Sequence, residues 1–401
     1  MGMRLYDTAR RSVVPFAPPE TVRMYVCGIT PYDSTHLGHA ATYVTYDIVV
    51  RRLEELGHAV RYVRNITDVD DSILPKAREL GVPYLELAAA EVARFHSDMD
   101  ALGMRPPVAE PRATESIDQI VELVTRLLEQ GNAYLTAGTA YFDVSSFPRF
   151  GALSHYPEAQ MLRLARARGG NPDDPHRRSP LDFVLWQPSL ADEPAWRAPF
   201  GVGRPGWHIE CSAMAMHEHG STLDLHGGGT DLIFPHHECE IAQSESITGE
   251  PCARHWLHSA MVNYEGEKMS KSLGNLVFVS DLLERADARA IRLALTRHHY
   301  RHGFEWFDTD LDEGTALLRR LLAAAARDGG PDPRPFAERV RAAIDDDLDT
   351  PHALDALDDL ASAILSGDGR PDPAVPSARD SLCELGRLLG VDLDRPLADG
   401  R

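Results

Sequence analysis

Residues 23–67 constrain the fold most, because they alternate a short apolar strand, a glycine-bearing loop, an amphipathic helix and a second strand. Residues 23–28, Arg-Met-Tyr-Val-Cys-Gly, read as a buried strand ending in glycine, and residues 42–56 have helical apolar spacing with Gly57 as the stop. The second strand follows at residues 60–67. A strand, a helix and a strand in this order predict a parallel sheet, and ligands of such sheets bind outside the carboxyl ends of the strands.

Farther along, apolar residues recur at three and four over residues 85–104 and 115–130, which predicts two more amphipathic helices. Residues 133–196 read as an insertion of short strands, such as 140–144, with a loop-forming Arg-Gly-Gly-Asn-Pro-Asp-Asp-Pro at 168–175. The sheet is expected to resume near Gly206, and a strand-like stretch at 258–263 leads into a lysine-containing loop. From Thr309 onward the periodicity is helical, including residues 311–327 and 335–364, with a connector at 367–376, so a terminal helical bundle is expected.

A chain of 401 residues is long enough for two or three folded units. Its formal charge of −20 sets up a field that repels polyanions, which weighs against a large nucleic-acid footprint. The five cysteines stand far apart, at Cys27, Cys211, Cys239, Cys252 and Cys383, a spacing that suits a reducing compartment. With no signal-peptide-like run at residues 1–20 and no apolar stretch of about 18 residues, a cytoplasmic protein without membrane association is expected.

Three constellations carry chemistry. His36-Leu-Gly-His39 follows the first strand and opens a helix, so two imidazoles and a helix N-terminus face whatever phosphate binds there, while Gly38 admits close approach. Lys268-Met-Ser-Lys-Ser272 lies in a glycine-bounded loop, where Lys268 and Lys271 are placed to neutralise a departing pyrophosphate. Gly227-Gly-Gly229 with Thr230 and Asp231 forms a tight turn with a carboxylate suited to ribose hydroxyls or an adenine amine. Neither a P-loop nor a Gly-x-Gly-x-x-Gly fingerprint is present, which excludes the usual signatures of P-loop nucleotidases and dinucleotide-dependent oxidoreductases.

The third constellation is Cys27, Cys211 and His236, with Glu240 four residues beyond His236 on the helix expected to open at Pro235. These are zinc-type donors. A zinc ion with an available coordination position would suit a thiol substrate, since a soft thiolate binds it far better than a hydroxyl, and coordination would hold that thiol as thiolate.

With these sets in order, the chain resembles the class I cysteinyl-tRNA synthetase family, and more closely its shorter relatives, the mycothiol-pathway cysteine ligases, which join cysteine to glucosaminyl-inositol. The resemblance runs from about Leu5 to about Asp394 and is carried by residues 25–33, 36–43, 65–71, 203–211 and 268–272. It implies an α/β class I synthetase-like Rossmann nucleotide fold with a parallel sheet, an inserted connective subdomain and a C-terminal helical bundle. The expected division is 1–110 and 197–262 for the halves of the catalytic domain and 111–196 for the insertion. Residues 263–309 would form the stem-contact region bearing the lysine motif, and 310–401 the bundle.

Residue by residue, the resemblance makes Cys27, Cys211 and His236 ligands of one zinc ion, with Glu240 at the fourth ligand position of the synthetases. It places Cys27, Gly28, Ile29, Thr30, Thr42, Asn65, Ile66, Thr67, Trp207, Gly229, Thr230, Asp231 and Val262 around a cysteinyl-adenylate. His36, His39, Lys268 and Lys271 become the charge-stabilising residues of adenylation, with Mg-ATP and L-cysteine as substrates. The acceptor is expected to be the amine of the amino-sugar inositol rather than tRNA, because no further anticodon-binding module is evident after the bundle. A monomer is expected. Aminoacylation of tRNA and transfer to a different amine are the alternatives.

Overall fold

The computed structural model describes residues 2–32, 35–269, 274–367 and 376–397. At its centre lies a four-stranded parallel sheet in the order Trp256–Ser259, Leu225–Gly229, Thr21–Ile29, Ala59–Ile66. Val22, Met24, Tyr25 and Val26 are all fully buried, as expected for a strand covered on both faces. The chain passes from Thr21–Ile29 to Ala59–Ile66 on one side, and Leu225–Gly229 joins on the other. The carboxyl ends of Thr21–Ile29 and Leu225–Gly229 therefore flank a topological switch point, where open α/β sheets place their ligands.

The helix between the first two strands spans Leu37–Glu55, starting earlier than its apolar stripe indicates. The reason is local: His36 is the N-cap, and its ring Nδ1 accepts from the Gly38 amide at 3.1 Å. A short helix at Ile73–Leu80, which the sequence pattern left unassigned, precedes the expected one, observed at Tyr84–Ala101. The stretch read as one strand at 258–263 is two, Trp256–Ser259 and Val262–Tyr264. Ala260 leaves the ladder between them to donate its amide to the Tyr300 carbonyl at 2.7 Å.

Two glycines set how closely the sheet packs. A Cβ on Gly28 would lie 1.6 Å from the Asn65 carbonyl oxygen, and one on Gly227 would lie 2.4 Å from the Tyr46 ring. Tyr46 occupies that space and links strands: its hydroxyl donates to the Leu257 carbonyl at 2.6 Å and accepts from the Gly228 amide at 2.6 Å. Gly28→Ala must force the first two strands apart at their carboxyl ends. It is expected to lower unfolding free energy by at least about 1–3 kcal/mol, as overpacking does, and to depress ligand binding with it. Urea denaturation of the variant checks this.

The inserted segment forms a five-stranded antiparallel sheet in the order Ala133–Thr136, Thr139–Phe142, Phe183–Gln187, Gly201–Pro205, Trp196–Ala198. Gly201–Pro205 pairs with both of its neighbours, so this sheet continues beyond residue 196 to Pro205. Its apolar side chains, among them Ala140, Phe142, Phe183 and Leu185, share a core with Ile120, Val124 and Leu127 of helix Ile117–Glu129. Ile209, Ala213 and Ala242 of the catalytic helices join the same core. The insertion thus shapes one wall of the switch-point cleft.

Helices Asp308–Ala325, Arg334–Asp345, Thr350–Ser366 and Ala378–Leu388 make up the C-terminal part. The helical pattern at 335–364 is broken because Asp347 and Leu348 adopt φ of 60° and 53°, and Asp349 caps the next helix by accepting from the His352 amide. The Asp347 carboxylate accepts from the Tyr6 amide and the Tyr300 hydroxyl, both at 2.7 Å, which ties the bundle to the N-terminal hairpin Arg4–Asp7/Ser12–Pro15. No helix of the described residues is long and apolar enough to cross a membrane.

Candidate active site

A cleft of about 640 Å³ opens at the switch point. Cys27, Gly28, Ile29 and Thr30 line it from the end of the first strand, His36, His39 and Thr42 from the helix that follows, and Gly229 and Asp231 from the glycine turn. Trp207 closes the side near the insertion. Of the remaining residues expected around an adenylate, Asn65, Ile66, Thr67 and Val262 are buried, and neither they nor Thr230 belongs to the cleft lining. Asn65 supports the lining from behind, accepting from the Gly28 amide at 2.9 Å and donating to the Cys211 sulfur at 3.3 Å. Thr67 shares a 2.8 Å hydrogen bond with Thr30, and Thr42 accepts from the Ser259 hydroxyl at 2.9 Å.

At one end of the cleft the His36 and His39 rings stack with centroids 3.9 Å apart. Met269, whose amide donates to the Val262 carbonyl at 3.2 Å, brings the lysine-bearing segment to the same cleft. The backbone of Lys268 lies on the two-residue strand Glu267–Lys268, paired with Asn263. Lys271 lies outside the described residues.

Cys27, which lines the cleft, also belongs to a cluster in which Cys27, Cys211, His236 and Glu240 come together with ligand atoms within 4.8 Å of one another, all four buried. Cys27 ends the first strand, Cys211 is in helix Trp207–His219, His236 precedes helix Glu238–Thr248 and Glu240 is in its first turn. The backbone before Glu238 is not the regular helix expected from Pro235, because Phe234 is extended, yet His236 Nε2 and Glu240 Oε2 still approach to 3.7 Å. His226 and His237 form a second possible quartet with Cys27 and Glu240. Sequence spacing alone gave no sign of this second set, because His226 lies on the neighbouring strand Leu225–Gly229.

Whether this pocket suits a cation can be judged from its unsatisfied atoms. His236 Nε2 and Glu240 Oε1 are buried without a hydrogen-bond partner among the described residues, an arrangement that costs free energy unless something binds there. The Nδ1 atoms of His208 and His236 share a 2.9 Å hydrogen bond, and Trp207 stacks on His236 at 4.4 Å, which together fix that ring. Burial, then the neighbouring histidines, pull the His236 and His237 imidazoles well below their ordinary range, so both are neutral and offer lone pairs. Burial pushes the Cys27 thiol well up, and a divalent cation is the partner that would reverse this and hold it as thiolate. Two thiols, an imidazole and a carboxylate are donor types that suit zinc.

Two features emerge only in three dimensions. From the insertion, the Arg168 guanidinium donates to the carbonyls of Asp231 and Phe234, clasping the turn that carries the glycine-side lining. Asp70 lines the cleft beside Thr30, whose hydroxyl donates to its carboxylate at 2.8 Å. No local sequence signal marks either role.

Residues 14–316 match the model of the tRNA synthetase class I (C) catalytic domain. Among curated proteins, the L-cysteine:1D-myo-inositol 2-amino-2-deoxy-alpha-D-glucopyranoside ligase of Thermobifida fusca is 50% identical over 395 residues, covering 98% of this chain and 95% of the relative. The ligase of the same name from Mycobacterium ulcerans is 48% identical, covering 98% and 96%. Among solved structures, Mycobacterium tuberculosis methionyl-tRNA synthetase in complex with methionyl-adenylate aligns with a TM-score of 0.66 at 18% identity, covering 92% of this chain and 90% of that one. Thermus thermophilus arginyl-tRNA synthetase aligns at 0.57 and 16% identity, covering 96% and 84%. These last two show a shared fold.

Proposed function

The chain belongs to the class I (C) tRNA synthetase catalytic-domain family, on its L-cysteine:1D-myo-inositol 2-amino-2-deoxy-alpha-D-glucopyranoside ligase branch, and from that premise we propose an AMP-forming ligase. It activates L-cysteine as cysteinyl-adenylate and passes it to the amine of glucosaminyl-inositol, making the amide of mycothiol biosynthesis. The observation that carries this reading is one cleft lined both by the stacked His36 and His39 and by Cys27, which belongs to a buried cluster of two thiols, an imidazole and a carboxylate.

Cys27, Cys211, His236 and Glu240 hold zinc in this reading, and bound zinc supplies a soft acid that ligates the cysteine thiolate and discriminates against serine. Thr30 and Trp207 line the amino-acid end, with Asn65 and Thr67 bracing it from behind. Gly229 and Asp231 face the nucleoside, with Arg168 keeping their turn in place. The cysteine carboxylate attacks the α-phosphorus of Mg-ATP; His36 and His39 stabilise the phosphoryl oxygens, and Lys268 and Lys271 accompany pyrophosphate. The gain comes from positioning and from charge stabilisation away from bulk water. The acceptor amine then attacks the mixed anhydride and AMP leaves.

The acidic balance of −20 supports a small acceptor over tRNA and agrees with a monomeric, cytoplasmic enzyme. Pyrophosphate exchange into ATP tests the first half-reaction. It is expected to require cysteine, to proceed without tRNA, and to fail with serine. Exchange supported equally by serine, or strictly dependent on tRNA, contradicts the proposal.

A further inference from the structure

The acceptor amine is an ammonium ion near neutral pH, so the transfer step needs a group that draws in a cation and accepts its proton. Asp182 is fully engaged, accepting from the Tyr134 hydroxyl, the Ser179 amide and the Val144 amide at 2.7, 2.9 and 2.9 Å. Asp71 is more than half exposed and paired with Arg204 at 2.6 Å. His208 is committed to His236. His36, His39 and Asp231 face the nucleotide in the reading above.

Asp70 differs from all of these. Its side chain lines the cleft although the residue is only 5% exposed. One carboxylate oxygen accepts from the Thr30 hydroxyl at 2.8 Å, the other from the Ser72 and Ile73 amides at 2.7 and 3.2 Å. All three donors are neutral, and no ion pair reaches Asp70 among the described residues. Thr30 stands three residues beyond Cys27 on the same wall, so the carboxylate is one hydroxyl away from the amino-acid end of the cleft. Asp71, the next residue, is the charged neighbour whose carboxylate adds to the negative field at Asp70. Burial raises Asp70 to about 6, a poise that suits proton transfer near neutral pH.

We propose that Asp70 receives the ammonium of the acceptor and takes its proton in the transfer step; the inference rests on the cysteine:amine ligase reading. One N–H proton passes to the Asp70 carboxylate, and the freed nitrogen lone pair forms the C–N bond at the adenylate carbonyl carbon. The C–O bond to phosphate then breaks with its electron pair remaining on AMP. The second N–H proton leaves to the AMP phosphate or water, giving the neutral amide.

The test preloads wild-type enzyme, Asp70→Asn and Asp70→Glu with radiolabelled cysteine and ATP, then mixes each with glucosaminyl-inositol in a single turnover. Wild type must form the amide; if it does not, the functional reading fails before Asp70 is judged. Given that it does, Asp70→Asn is expected to slow transfer by roughly 10²–10⁴-fold while adenylate forms within about 3-fold of wild type, and Asp70→Glu to recover part of the loss. Unchanged transfer in Asp70→Asn overturns the inference. So does a raised KM for cysteine with normal transfer from the adenylate, which would mean that the carboxylate reads the amine of cysteine. If Asp70→Asn loses the amide bonds that start helix Ile73–Leu80 and fails to fold, Asp70→Glu decides: wild-type transfer kinetics with the longer side chain count against a positioned base.

Discussion

Cys211→Ala is expected to strip the metal and to abolish cysteine-dependent pyrophosphate exchange together. Removal of a group that merely orients a ligand typically costs 10–100-fold, so loss of a ligand itself should exceed roughly 100-fold in metal affinity. The protein should still fold, because Cys211 sits within a helix whose other buried residues, Ile209, Ala213 and Met214, retain their packing. Metal analysis of the purified variant is the first readout, and exchange with cysteine the second. The two overlapping quartets sharpen the comparison, since both contain Cys27 and Glu240. If the metal survives Cys211→Ala but departs with His226→Gln, the second quartet is the working one and the assignment of Cys211 and His236 is wrong.

Arg292→Met is expected to be the most destabilising single change outside the cleft. Arg292 is completely buried; its guanidinium meets Asp47 and donates to the Leu389 carbonyl at 2.7 Å and the Leu102 carbonyl at 3.2 Å. It thereby joins helix Ala288–Thr296, the last helix of the bundle and the catalytic helix Leu37–Glu55. Loss of one partner from a buried pair typically costs about 3–5 kcal/mol. Arg51, 2.6 Å from Asp47, would soften the penalty without removing it. Urea denaturation should show the decrease; a midpoint equal to wild type would mean that the pair contributes nothing. Burial opposes the Asp47 charge, but Arg292 and Arg51 outweigh it and hold the carboxyl below its usual value. A folded-state value lowered in this way stabilises at pH above the unfolded value of about 4, and the contribution is lost as pH falls through the folded value. The stability difference between wild type and Arg292→Met should therefore shrink in strong acid.

The parts of this molecule that were legible in the sequence are those whose chemistry fixes residue type at short spacing. Strand, helix and strand at the start announce the parallel sheet, and His36, His39 and the glycine turn are residues that the structure places on one cleft lining. Cys27, Cys211 and His236 were identifiable as donors by type, and the structure brings them together from elements far apart in the chain. The second quartet depended on strand order, which periodicity does not encode. Asp70 meets Thr30 across 40 positions, and Arg168 reaches Asp231 across 63, so neither contact leaves a local pattern. The break at residues 346–349 escaped for another reason: helical spacing runs through it, and tertiary bonds to Asp347 override that local preference.

The most direct measurement is mass-spectrometric analysis of the products formed from ATP and cysteine with glucosaminyl-inositol in one reaction and tRNA in another. Cysteinyl amide on the amino sugar, stoichiometric AMP and uncharged tRNA are expected. Cysteinyl-tRNA without amide would contradict the ligase reading.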